Sequence, residues 1–107
     1  MTQSLNLPQK GFYYHYKHDA KKEFNNYVYE VMGIGRNTED KTYTVLYRPM
    51  YKNDWFSPAD AQSRPLNMFN ECVEVNGVIM PRFKKIEDEA IVMRLDEIKL
   101  EMYGSSL

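Results

Sequence analysis

The stretch "TYTVLYRPMY" (42–51) decides how this chain is read. Thr, Tyr, Val and Leu fit a pleated, half-buried surface, and their density here makes it the strongest strand signal in the sequence. Pro49 cannot donate to a ladder, so it puts the end of this strand at a sheet edge or a bulge. Upstream, "YVYEVMGIG" (27–35) is also β-rich, with Gly33 and Gly35 marking a bulge or bend near its end. The polar "RNTEDK" (36–41) is the turn between these strands. Earlier still, "GFYYHYK" (11–17) alternates as a strand does. "HDAKKEFNN" (18–26) reads as a hairpin connection with a helical turn at 20–24.

Downstream, "KNDWFSPADAQS" (52–63) is the longest irregular connection, and Trp55 and Phe56 mark it as a lid or an interaction surface. "PLNMFNE" (65–71) suits a short helix with Pro65 at its first position. "CVEVNGVIM" (72–80) carries Asn76-Gly77, the preferred type I′ hairpin turn, and "PRFKKI" (81–86) follows as an extended exit. From Glu87 the period changes. Ile91, Leu95, Ile98 and Met102 form one apolar stripe on a helix of about four turns, with "EDE" (87–89) at its start and Gly104 as a C-terminal cap. That stripe either covers the chain's own sheet or pairs with the same helix of another subunit, so these four residues are also the candidate homodimer interface. The expected division is a loose lead-in over 1–10, a small barrel over 11–86 and an amphipathic helix with its tail over 87–107. The fold class is mainly β, a small barrel with a C-terminal α-helix.

Composition narrows the function classes. The chain has 107 residues, enough for one domain, and a formal net charge of −1, so no global positive field draws it to nucleic acid. Aromatic residues make up 14%, nine of them Tyr, which suits half-buried strands and wet binding surfaces alike. Cys72 is the single cysteine, which excludes an internal disulfide and fits a reducing compartment; its alternating strand context predicts a buried, inert thiol. The N-terminus lacks a basic segment followed by an apolar one, and no apolar run approaches bilayer length, so a cytoplasmic protein without membrane contact is expected.

Five prolines and five arginines occur, and three pairs adjoin: Arg48-Pro49, Arg64-Pro65 and Pro81-Arg82. A neighbouring pyrrolidine ring stiffens the backbone that presents the guanidinium, and guanidinium binds phosphate or carboxylate through a planar fork. With Arg36 as a fourth cation and Tyr13, His15, Tyr47, Tyr51, Trp55 and Phe69 as candidate walls, the set predicts a stacking hollow with anion clamps. Ion pairing of the same arginines with Glu30, Glu39, Glu71 or Glu74 is the plain structural alternative. A metal site at His15, His18 and Asp19 lacks ligands, because positions three apart on a strand face opposite ways. No catalytic residues and no cofactor are assigned: "GIG" (33–35) lacks the third glycine and helix of a dinucleotide loop, and no nucleophile has a recognisable base.

Several segments in order resemble a known family: Gly11-x-Tyr13-x-His15-Tyr16-Lys17, "YEVMGI" (29–34), Arg36-x-Thr38-Glu39, "VLYRPMY" (45–51), "RPLNMFNECVEVNG" (64–77) and "PRF" (81–83). Together they look like the bacterial and phage family called domain of unknown function 1653. The resemblance implies an SH3-like β-barrel and assigns no activity. Three departures stand out: His18 where glycine is usual, followed by an insertion; Asn37 for a frequent histidine; and Trp55 eight residues from Arg64 rather than almost adjacent. The expected function is a non-enzymatic module holding a nucleotide-like or other anionic small ligand; in a phage setting it would sequester a nucleotide signal. The alternatives are a protein-interaction adaptor using an aromatic barrel groove, or recognition of a nucleic-acid end or modified base.

Overall fold

The strand built from "TYTVLYRPMY" lies second from one edge of a five-stranded sheet. In the computed structural model, which describes residues 6–54, 57 and 60–104, the strands are β1 (Gly11–His15), β2 (Val28–Arg36), β3 (Tyr43–Pro49) and β4 (Gln62–Pro65). A short helix α1 (Leu66–Phe69) leads to a hairpin of β5 (Cys72–Val75) and β6 (Val78–Pro81). β7 (Phe83–Lys85) and α2 (Glu89–Tyr103) complete the chain. The large sheet has the order β4-β3-β2-β1-β7, and β5-β6 form a separate two-stranded sheet. All pairings are antiparallel.

The fold is therefore mainly β with a C-terminal helix, as expected, but the barrel is not closed. β4 and β7 are the two edges of the large sheet and share no ladder. Both are short, four and three residues long, and β6, which precedes β7, pairs with β5 instead. The predicted turn residues behave as read. Asn76 and Gly77 take φ of 51° and 80°, the pair of positive values a type I′ turn requires. The glycine signal in β2 marks a register shift between Val31 and Gly33 that leaves Met32 as the extra residue. β4 is the element missed by pattern reading. Gln62–Pro65 has no β-rich run and is a strand because it pairs with Thr44–Tyr47 of β3.

Alternation divides the sheet into two faces. Tyr13, Val31, Val45, Tyr47 and Phe83 meet Phe69 of α1 on one face. Phe12, Val28, Met50 and Ile86 meet Leu95 of α2 on the other. α2 starts where Asp88 accepts hydrogen bonds from the amides of Ala90 and Ile91, at 2.9 and 3.3 Å. It ends at Gly104, whose φ of 77° suits glycine. Ile91, Leu95 and Ile98 pack on the chain's own sheet together with Val92 and Tyr103. Of the two expectations for this stripe, the cover of the chain's own sheet is what the fold displays: Leu95 is wholly buried within the chain, because the sheet face beneath is apolar and needs a cover. Met102 is half-buried on the same helix. Among the described residues no helix is long and apolar enough to cross a membrane.

Candidate functional site

The alternation of β3 separates the arginines that the sequence grouped. Arg48 points under α2. It pairs with Glu30 directly across the ladder, Nε to Oε1 at 2.8 Å, and both side chains are buried. Lys99 of α2 reaches the other Glu30 oxygen at 2.6 Å. The Arg48 guanidinium lies 3.8 Å from the centroid of the Tyr103 ring, whose hydroxyl donates to the Pro49 carbonyl. Burial pushes the Tyr103 hydroxyl up to about 12, against the lowering effect of Arg48. This is a clamp for the helix in which two cations share one carboxylate, and Arg48 Nη2 is buried without a partner among the described residues. Arg48 does not converge with Arg64 and Arg82, because adjacent strand positions face opposite ways.

Arg64 faces the aromatic side. Its cross-strand partner is Val45, so no carboxylate answers it across the ladder. The guanidinium lies 6.0 Å from the Tyr47 ring centroid and 5.7 Å from that of Phe83. Its buried Nε finds no acceptor among the described residues. With Tyr29, Tyr47, Tyr51, Asn53 and Gln62, Arg64 lines a cleft of about 250 Å³. Edge-on packing stiffens the walls, with Tyr29 5.5 Å from Tyr47 at 73° and 5.7 Å from Tyr51 at 81°. The Tyr29 and Tyr51 hydroxyls are 2.7 Å apart. Burial first, then that hydrogen bond and the neighbouring tyrosines, raise the Tyr29 hydroxyl far above the usual phenol range. Tyr29 therefore stays neutral and acts through hydrogen bonding.

Beside this cleft, His15 packs edge-on against Phe83 at 5.1 Å and Tyr29 at 6.1 Å, and stacks with Tyr27 at 5.8 Å. Its Nδ1 accepts the Lys17 amide at 3.2 Å. Burial, then Arg64, Lys17 and Arg82, lower its pKa to about 4. Tyr27 reaches this surface with a φ of 51°, uncommon for a bulky residue and a strain that the surrounding rings must hold. Arg82 pairs Nη2 with Glu71 at 3.2 Å, yet its Nε is buried without a partner.

The remaining expected residues fall elsewhere. Arg36 is exposed at the far end of β2, stacked 4.7 Å from its cross-strand neighbour Tyr43. Tyr13 and Phe69 are interior. Tyr13 donates to the Gln9 carbonyl, and Phe69 stacks on Phe83 at 4.3 Å with ring planes 4° apart. Trp55 lies outside the described residues, as does much of the expected lid. Cys72 is exposed rather than buried, because the β5-β6 hairpin turns that position outward. Tyr29 and Gln62 were missed. Period two in "YVYEV" places Tyr29 beside Tyr27 and Val31, so the first was legible; the second carried no signal. Among the described residues no cluster of His, Cys, Asp or Glu suits a metal.

A larger, shallower groove of about 890 Å³ runs between the 22–26 segment and α2. Several of its polar groups already have partners: Asn25 donates to the Met50 carbonyl, Asn26 to the Asp19 carbonyl, and Arg94 covers the Phe24 ring at 3.9 Å. The smaller cleft, with an unanswered guanidinium donor, is the better candidate.

Comparisons with known proteins agree with this architecture. The sequence model of the family described as "Protein of unknown function (DUF1653)" matches residues 11–85. A crystal structure of a protein of that family from Bordetella bronchiseptica is similar, with a TM-score of 0.58 and 27% identity. The alignment covers 73% of this chain and 86% of that one. No curated protein matches.

Proposed function

The chain belongs to the DUF1653 family, and from that premise we propose that it is a non-catalytic module binding a small nucleotide-like ligand. The ring of the ligand lies among Tyr29, Tyr47 and Tyr51, and its anionic end meets Arg64. The single observation that carries this reading is the buried Arg64 Nε, which belongs to a residue lining a tyrosine-walled cleft and has no acceptor among the described residues. A buried donor left unmatched is costly, on the order of 1–3 kcal/mol, and an incoming anion recovers that cost. At about 250 Å³ the cleft is just under the range of about 300–1,000 Å³ usual for small-molecule sites. It suits one base or nucleoside, not a dinucleotide. Tyr and Arg faces also suit a purine by stacking.

The fold in this reading is an SH3-like barrel held open. Its support is that Arg64 of edge strand β4 lies over Phe83 of the opposite edge strand β7, so the two edges approach without pairing.

Calorimetric titration with AMP and with GMP tests the proposal. At least one binds the wild-type chain, and Arg64→Ala weakens it about 10- to 100-fold, the loss of one charge-assisted contact. Absence of binding by both, or binding indifferent to Arg64 and to Tyr51→Ala, overturns it. A second reading, a protein-interaction adaptor, is favoured by Val78 and Ile79, which are 56% and 71% exposed on the free hairpin.

A further inference from the structure

Arg64, Lys17 and Arg82 all lie close enough to His15 to oppose its protonation, and the Lys17 ammonium is 5.9 Å from the Tyr16 ring, which is itself 4.5 Å from His15. Arg64 approaches Phe83 from β4 at 5.7 Å. Arg82 directly precedes Phe83, and its carbonyl accepts the Tyr16 amide at 2.9 Å, which fixes it against the end of β1. Lys17 follows two residues after His15 and donates its amide to the ring. Among the described residues Glu71 is the one carboxylate paired with any of the three. Both Arg64 and Arg82 hold a buried Nε without an acceptor.

We infer that this cluster receives a terminal phosphate monoester, the dianionic end of the ligand whose ring occupies the tyrosine cleft. The inference rests on the reading under Proposed function and narrows its ligand class. Three cations against one carboxylate leave a surplus that a dianion neutralises; a carboxylate or a phosphodiester neutralises only half of it. Two guanidinium groups provide forked donors to the several oxygens of a monoester. Neutral His15, with Nδ1 occupied by the Lys17 amide, carries its proton on Nε2 and is a further donor.

Binding also moves a proton. The groups around His15 are Tyr16 and Lys17 from its own strand end, Tyr27 just before β2 and Tyr29 within it, Arg82 just before β7, and Arg64 from β4. The cations oppose protonation of the ring. A dianion placed among them reverses the local field, so the His15 pKa is higher in the complex than in the free chain. The complex then takes up a proton in the window between the two values, and affinity for a non-titrating dianion rises as pH falls through it.

Two measurements test this. In calorimetry at pH 7, AMP binds about 10- to 100-fold more tightly than adenosine or 3′,5′-cyclic AMP, the step expected from one added charge-assisted contact. In an NMR titration, saturating inorganic sulfate moves the His15 midpoint upward from about 4, by about one pH unit or more. Arg64→Met with Arg82→Met removes that movement. If AMP and cyclic AMP bind equally, the monoester assignment is wrong while the cleft reading survives. If none of the three nucleosides binds, the cleft reading fails and sulfate decides the cluster alone: an unmoved His15 overturns it, a shifted one supports it.

Discussion

The two faces of the five-stranded sheet handle charge in opposite ways. On the helix face, Glu30 takes Arg48 from the neighbouring strand and Lys99 from α2, and an aliphatic core surrounds them. On the aromatic face, Arg64 stands across from Val45, and its nearest partners are rings. Arg48 and Arg64 have the same side chain, the same following proline and adjoining strands. What separates their roles is the residue directly opposite in the ladder. A carboxylate there yields a structural clamp, and an apolar residue leaves a cation available.

The comparison is broken or sharpened by three substitutions and a pH series. Glu30→Ala has the largest effect: it strands Arg48 in the interior and costs about 3–5 kcal/mol in chemical denaturation. A loss under about 1 kcal/mol, the level of an exposed pair, would mean the clamp is an ordinary surface contact. The pH series comes next. The His15 pKa is depressed in the folded chain, to about 4, from about 6.5 when unfolded. Between these values the unfolded chain holds more protons, so stability present above pH 6.5 is lost as pH falls towards 4. After allowance for the ring's partial solvent contact this amounts to about 1–2 kcal/mol. Comparing wild type with His15→Gln isolates it: the variant lacks this slope, and identical slopes refute the assignment. Arg64→Met brings no loss of stability, because it removes an unmatched buried donor, although it weakens AMP binding as described above. A loss matching that of Glu30→Ala would place Arg64 among the structural arginines and erase the distinction between the faces.

Much of this was legible in the sequence where local chemistry is strong. Asn76-Gly77 specified its turn, and Asp88 and Gly104 bracket a helix that the 4-3-4 spacing had announced. Gly33 signalled the register shift in β2. The site was legible only in part. Arg64, Tyr47 and Tyr51 line one cleft and His15 lies beside its Tyr29 wall, whereas Arg48 and Arg36 were grouped with them on the strength of residue type. The separation of Arg48 from Arg64 depends on register with a partner strand, and β4 has no strand-like composition to announce it. The helix stripe posed the same difficulty: periodicity tells that Leu95 needs a cover, and only the sheet's second apolar face identifies which.

The extra residue at Met32 has a further consequence. Tyr29 and Val31 face the aromatic core at odd positions, while Ile34, beyond the irregularity, packs on that core at an even one. The bulge thus acts as a phase reset, allowing one strand to serve the Glu30 clamp at its start and the distal hairpin at its end under different counting rules. Drawing Met32 into regular pairing would merge the two phases, set Gly33 opposite Val45 and rotate Ile34 outward, exchanging an interior side chain for a glycine. Natural length variation in β2 should therefore collect past Arg36, in the loop, where no phase has to be kept.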